Sequence, residues 1–269
     1  HLQDLKIPIK CERAGCDIGV DTSSTKGRTT TKQQERLNAG AKKARRCATL
    51  ARKNAAVRRV AITGVKPTQE YGFTAVGMAP TSVQKAKSNI AAATGLMSAG
   101  TCASSVLRWA FRKGRHRNET ADPRVTIPLR QIKSWTDIWN RSTAPTKQRI
   151  RKVWVKTLAK LTPARSMWQC VKGPIGAAVA TLIDAGWQPI DPSEWFTSAS
   201  EGTSLSGNAS SNTLAGCTKT KGHAVRQVLH RLEGDLEADV WSKASLSYNG
   251  KGLERGLPSF EPASKAHAN

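Results

Sequence analysis

Between residues 32 and 60 the small apolar positions Leu37, Ala41, Ala44, Ala48, Ala51 and Ala55 recur at steps of four and three. At ~100° per residue they lie within ~40° of one direction, which predicts a long amphipathic helix. Gly40 weakens it locally by ~1 kcal/mol relative to Ala. The run Thr63-Gly64-Val65-Lys66-Pro67 is expected to end it, since Pro67 lacks a donor and biases Lys66 away from the helical region. A second helix is predicted over 81–94, with Thr81 or Ser82 as N-cap and Val83, Ala86, Ile90 and Ala93 on one face. A third is predicted over 103–113, followed by a basic turn at 112–117.

The pattern then becomes tryptophan-rich. Pro123 and Pro128 bracket a connection into a helix over 129–140, where Ile132, Trp135 and Trp139 fall at steps of three and four. Pro145 breaks it, and a helix over 147–161 carries Ile150, Trp154 and Leu158 in i, i+4, i+8 register before Pro163. Residues 176–185 read as a small-residue apolar helix closed by Gly186. Near the N-terminus, Asp17-Ile18-Gly19-Val20-Asp21 alternates as a strand does, and 23–31 supplies a Ser/Thr/Gly-rich break. The expected fold is mainly α: a helical bundle over 1–100 that carries the basic helix, a Trp-bearing helical region over 101–197, and a short β element at the start. Residues 198–220, rich in Ser, Asn, Gly and Thr, read as a flexible linker. In the tail, 221–269, Val225, Leu229 and Leu232 mark a short helix that 233–243 continues or restarts. Residues 249–252 read as a turn, and 258 onward as frayed.

Charge narrows the function. The 269 residues hold 43 Lys+Arg against 19 Asp+Glu, a net charge of +24, so the chain is short of acid and suited to polyanions. No apolar run approaches the ~20 residues of a membrane span, and charges break any leader-like segment near the start. A chain opening at His1 reads as a fragment or a processed product. Six scattered cysteines in a long chain suggest the reduced thiols of an intracellular protein; a nuclear location is expected for a nucleic-acid-binding chain.

The charge is concentrated. From Lys26 to Arg59 there are twelve Lys/Arg and one acid, Glu35. Placing Leu37 at 0°, Arg45 and Arg52 fall near ~60–80°, while Lys42, Lys53, Arg46, Lys43 and Arg36 spread over ~140–260°. Solvated helix faces usually interleave Glu with Lys, and here that support is missing. An alanine stripe offers little membrane insertion energy, so nucleic-acid phosphates are the favoured partner. The candidate contacts are Arg36, Lys42, Lys43, Arg45, Arg46, Arg52, Lys53, Arg58 and Arg59.

Other chemistry is weakly encoded. Cys11, Cys16, Cys217, His223 and His230 have poor spacing for zinc, and thiols without metal are the default. No Asp-Asp pair, phosphate loop or nucleophile elbow occurs, so no catalytic residue or cofactor is assigned to this chain. Glu233, Asp235, Glu237 and Asp239 read as a solvated helix surface. The helical spacing of the tryptophans favours core packing over base stacking.

Gly19-Val20-Asp21, the basic helix, the turn Thr63-Gly64-Val65-Lys66-Pro67-Thr68-Gln69-Glu70-Tyr71-Gly72 and Ala91-Ala92-Ala93-Thr94-Gly95 occur in a telling order. This order resembles the segment after the polymerase palm in reverse transcriptases of non-LTR retrotransposons. The stretch with Trp135, Trp139, Trp154, Trp168, Val171-Lys172-Gly173-Pro174-Ile175-Gly176-Ala177-Ala178 and Gly186-Trp187 is similar to the downstream region of such proteins in dinoflagellates and related protists. The resemblance covers about 15–196, with 241–256 as a weaker match. It implies a non-catalytic thumb and connector that grips RNA, DNA or an RNA/DNA hybrid, partnered by an upstream polymerase domain of the same polypeptide that holds Mg²⁺. The alternative is a free-standing basic helical protein that packages RNA in the manner of a nucleocapsid.

Overall fold

The computed structural model describes residues 14–17, 20–23, 27–111, 121–197, 211–213 and 222–252. It is mainly helical, as the periodicities require. Its first elements are antiparallel strands β1 (Ala14–Asp17) and β2 (Val20–Ser23), with Asp17 opposite Val20. The single strand expected over 17–21 is therefore split between two. Asp21 is buried, and its carboxylate accepts the backbone N–H groups of Lys32 at 2.9 Å and Gln33 at 3.2 Å. Those are first-turn donors of α1 (Thr31–Lys53), whose own N-cap Thr30 makes no side-chain cap. A carboxylate at a helix N-terminus satisfies orphan N–H groups and complements the dipole.

The long helix ends earlier than its alanine period suggests. Asn54 turns extended, with φ −138° and ψ 111°, and its side chain accepts from Ala56 N at 2.9 Å. Such local Asn bonding competes with helix continuation. A 3₁₀ turn, Ala55–Arg58, and a wide π turn, Ala61–Val65, lead straight into α2 (Lys66–Glu70). Thr63 to Pro67 is thus helical instead of a break, with Pro67 just after the π turn, at the start of α2.

After α3 (Phe73–Val76) comes α4 (Pro80–Ala93), which starts on Pro80 with Ala79 as N-cap. Thr81 and Ser82 lie inside the helix and do not cap it. Helix α5 (Ala103–Ala110) stops short of 113, and the basic turn at 112–117 lies outside the described residues. Helix α6 (Pro123–Arg141) begins six residues before the expected 129, because Asp122 caps it, accepting from Arg124 N at 2.9 Å and Ser104 Oγ at 2.8 Å. Pro128 is accommodated within α6 at the loss of one bond to the Arg124 carbonyl. Pro145 opens α7 (Ala144–Leu161) from its first turn. Helices α8 (Met167–Cys170) and α9 (Gly173–Asp184) follow, and Gly186 adopts φ +78° after α9, as its placement predicts.

The C-terminal part differs most from expectation. Strands β3 (Trp187–Asp191), β4 (Glu194–Thr197) and β5 (Ser211–Thr213) form an antiparallel sheet in the order β3-β4-β5. β5 lies inside the stretch read as linker, whose other residues lie outside those described. A single helix, α10 (Gly222–Gly252), replaces the short helices and runs through the turn expected at 249–252. Residues from 258 on are outside the described residues.

Three apolar clusters hold these elements. One joins Leu37, Phe73, Met78, Val83, Ala86 and Ile127. A second joins Ala44 and Cys47 of α1 to Ala61, Val65, Ile90, Val106 and Leu107. The largest contains Trp135, Trp139, Trp154, Trp187 and Trp195 with Val228, Leu232, Leu236 and Val240 of α10. The tail helix therefore packs on α6 as part of the tryptophan cluster, and α5 shares a core with α4 across residue 100. Five of the eight tryptophans are core residues; Trp109, 66% exposed, is not.

Candidate nucleic-acid interface

The buried face of α1 consists of Gln33, Leu37, Gly40, Ala44, Cys47 and Ala51. Ala41 and Ala48 are half-buried, and Ala55 is exposed beyond the helix end. Relative to the alanine stripe, the packed face is rotated by about 40° toward Gly40 and Cys47. The rotation has a cause on the facing element. Gln69 of α2 is fully buried, donates to the Ala86 carbonyl at 3.0 Å and accepts from Asn89 Nδ2 at 3.1 Å. Asn89 also donates to the Leu37 carbonyl at 3.2 Å, so α1, α2 and α4 are tied by two amides. Only a residue without Cβ lets α1 approach Gln69 this closely.

With that face packed, Lys42, Arg46 and Lys53 stand opposite it, flanked by Arg45 and Arg52, and all five are exposed. None of the five has an acidic partner among the described residues. The remaining candidates are placed differently. Arg36 lies over the Tyr71 ring at 4.5 Å and donates to the Tyr71 carbonyl at 3.0 Å. Lys43 donates to Thr68 Oγ1 at 2.8 Å. Both cations brace α1 against α2 and its end. Arg58 and Arg59 are not on the continuous face, because the helix breaks at Asn54 before reaching them. Arg58 is half-buried, with no hydrogen-bond partner on Nε, while Arg59 is exposed.

Beside the cationic face, α1 and α4 form a shallow groove of about 270 Å³ lined by Gln34, Asn38, Gln84, Lys85 and Asn89 among others. No His/Cys/Asp/Glu group of metal-site size occurs among the described residues. Cys47, Cys102 and Cys170 are free thiols. No helix among the described residues is long and apolar enough to cross a membrane. No protein-family model, curated protein or solved structure matches the chain.

Burial shifts the titration of Glu70, which is buried, and of Arg28, which is half-buried. Glu70, at the end of α2, is pushed up to about 7 by burial, against the opposing pull of Lys66 and Arg130. Its Oε2 pairs with Arg130 of α6 at 3.0 Å while Oε1 has no hydrogen-bond partner. Arg28 lies over the Trp168 ring at 5.5 Å, and burial lowers its guanidinium to about 10 despite nearby Asp21. The acids read as a solvated surface are partly engaged too. Asp235 accepts from Trp187 Nε1 at 3.0 Å, and Asp239 pairs with Arg124 and Lys243. Sequence reasoning missed Asp21, Gln69 and Asn89 as positioning residues. Polar side chains in amphipathic patterns look solvent-facing until their partners are known.

Proposed function

We propose that the chain binds nucleic acid through the backbone phosphates, with Lys42, Arg45, Arg46, Arg52 and Lys53 of α1 as the principal contacts. The observation that carries this reading is a one-sided helix whose exposed face holds five cations without a carboxylate partner among the described residues. Phosphates satisfy such a face with charge-assisted hydrogen bonds, and release of counterions drives the association. Contacts of this kind set register and orientation without reading base sequence. Together with the order of motifs, this supports a thumb-like, non-catalytic portion of an RNA-directed DNA polymerase that holds the template-primer duplex.

The test is fluorescence anisotropy of the chain with RNA/DNA hybrid, duplex DNA and single-stranded RNA over a range of salt. The five α1 contacts by themselves contribute ~−4.5 to the log-log slope on duplex. A preference for hybrid supports the polymerase reading, and a preference for single-stranded RNA favours an RNA-packaging role. Salt-insensitive binding, or nucleotide incorporation by this chain alone, contradicts the proposal.

A further inference from the structure

Helix α7 carries six Lys/Arg and no acid over Ala144–Leu161. Two of the six are engaged at its start. Lys147 and Arg151 lie over the Trp139 ring at 5.4 and 5.5 Å, and Arg151 Nε pairs with Asp191 at 3.2 Å. The other four, Arg149, Lys152, Lys156 and Lys160, are exposed and have no ionic or hydrogen-bond partner among the described residues. They follow one another at three, four and four residues, and at ~100° per residue they fall within ~80° of arc. On the opposite side, Trp154 and Leu161 are buried in the tryptophan cluster, with Ile150 and Leu158 packed against it. Trp154 also donates to the Pro189 carbonyl at 2.9 Å, which fixes the rotation of α7 about its axis.

The row spans eleven residues, about 16 Å at ~1.5 Å per residue. One strand of a B-form duplex presents about five phosphates over that length, at ~3.4 Å each along the axis. Like charges at i, i+4 destabilise a helix, and Lys152, Lys156 and Lys160 stand in that relation, so a polyanion laid along the row relieves a repulsion the fold leaves in place. The apolar residues bordering the row are Val153 and Val155, without aromatics, which gives little membrane insertion.

We infer that Arg149, Lys152, Lys156 and Lys160 form a second phosphate-binding surface, for the backbone of an RNA or DNA strand, separate from that on α1. The two helices belong to different layers, α1 packing on α2 and α4 and α7 on α9 and β3. The inference shares with the proposed function the class of partner but none of the residues. Two linked surfaces of this kind raise overall affinity without new contacts at either one.

The experiment compares three full-length proteins on the same hybrid, duplex and single-stranded probes: the parent, an α7 variant (R149Q, K152Q, K156Q and K160Q) and an α1 variant (K42Q, R46Q and K53Q). Circular dichroism melting is expected to be preserved in both variants, since all substituted side chains are exposed. The expected result for the α7 variant is a slope on duplex shallower by ~3 to 4 and affinity at least tenfold weaker near 0.1 M salt. An unchanged slope in the α7 variant overturns this inference, and if the α1 variant is affected the α1 reading stands. An effect of the α7 variant with none in the α1 variant supports the inference and overturns the α1 reading. Binding of the parent to phosphatidylserine vesicles, lost in the α7 variant while nucleic-acid binding is retained, overturns it in favour of a membrane surface.

Discussion

A Cβ placed on Gly40 of α1 would stand 2.7 Å from Oε1 and 3.2 Å from Cβ of Gln69. The residue that weakens the helix by propensity is therefore the one that permits its packing. Alanine at this position adds up to ~1 kcal/mol of helix propensity but overlaps a side chain held by Ala86 and Asn89. Overpacking at such a site costs ~1 to 3 kcal/mol, so Gly40→Ala is expected to lower stability by about 1 kcal/mol net. Urea denaturation measures it. A gain in stability would mean that Gln69 can withdraw.

Asp21 supplies from a strand the cap that Thr30 does not. Removing its carboxylate orphans the N–H groups of Lys32 and Gln33 at the start of α1. Asp21→Ala is expected to cost about 1 kcal/mol, the usual value of a lost N-cap. Asp21→Asn should recover part of that in the same denaturation experiment. Equal stability of all three proteins would show that the contact carries no weight.

Glu70 makes stability depend on pH in an unusual sense for a carboxylate. Burial raises it from 4.5 to about 7 in the folded chain, so between those values the folded state holds a proton that the unfolded state has released. Stability from this group is full below the unfolded value and declines as pH rises toward and through about 7. The urea midpoint of the parent should fall from pH 5 to pH 8, and Glu70→Gln should flatten that component. A Gln variant with the parent's full pH dependence would place the effect elsewhere.

The two classes of cation on α1 should separate in binding. Arg46→Gln removes an exposed, uncommitted charge and is expected to reduce the salt slope on duplex by ~0.9, with stability unchanged within ~0.5 kcal/mol. Lys43→Gln removes an ammonium that is bonded to Thr68, and should change the slope less. Anisotropy titrations at four salt concentrations resolve the difference. Identical slopes for the two variants would mean that the brace to α2 opens on binding.

Trp135 and Trp154 pack with ring centroids 5.2 Å apart, and their indole N–H groups reach the carbonyls of Pro192 and Pro189. Trp154→Ala is expected to destabilise by about 3 to 5 kcal/mol through the cavity alone. Trp154→Phe keeps most of the packing and leaves the Pro189 carbonyl without its donor, an expected loss of ~1 to 3 kcal/mol. Thermal melting ranks the pair, and a Phe variant as stable as the parent would show that the hydrogen bond is dispensable.

The periodic spacing of Leu37, Ala44 and Ala51, and of Ile132, Trp135 and Trp139, determined by itself that this is a mainly helical protein with a cationic helix before residue 60 and a tryptophan core after residue 130. Local chemistry is enough for that, because which residues share a helix face follows from the 3.6-residue turn. Four features were decided only in the tertiary structure. Asn54 ends α1 before Arg58 and Arg59, Gly40 and Gln69 rotate its packed face, Lys43 and Arg36 are taken up by α2 and Tyr71, and Leu232 and Leu236 draw the tail onto α6. Each is a contact between residues distant in sequence, or a choice between competing local hydrogen bonds. The energies involved, about 1 to 3 kcal/mol each, match or exceed the propensities that the sequence expresses, so packing partners tip the balance.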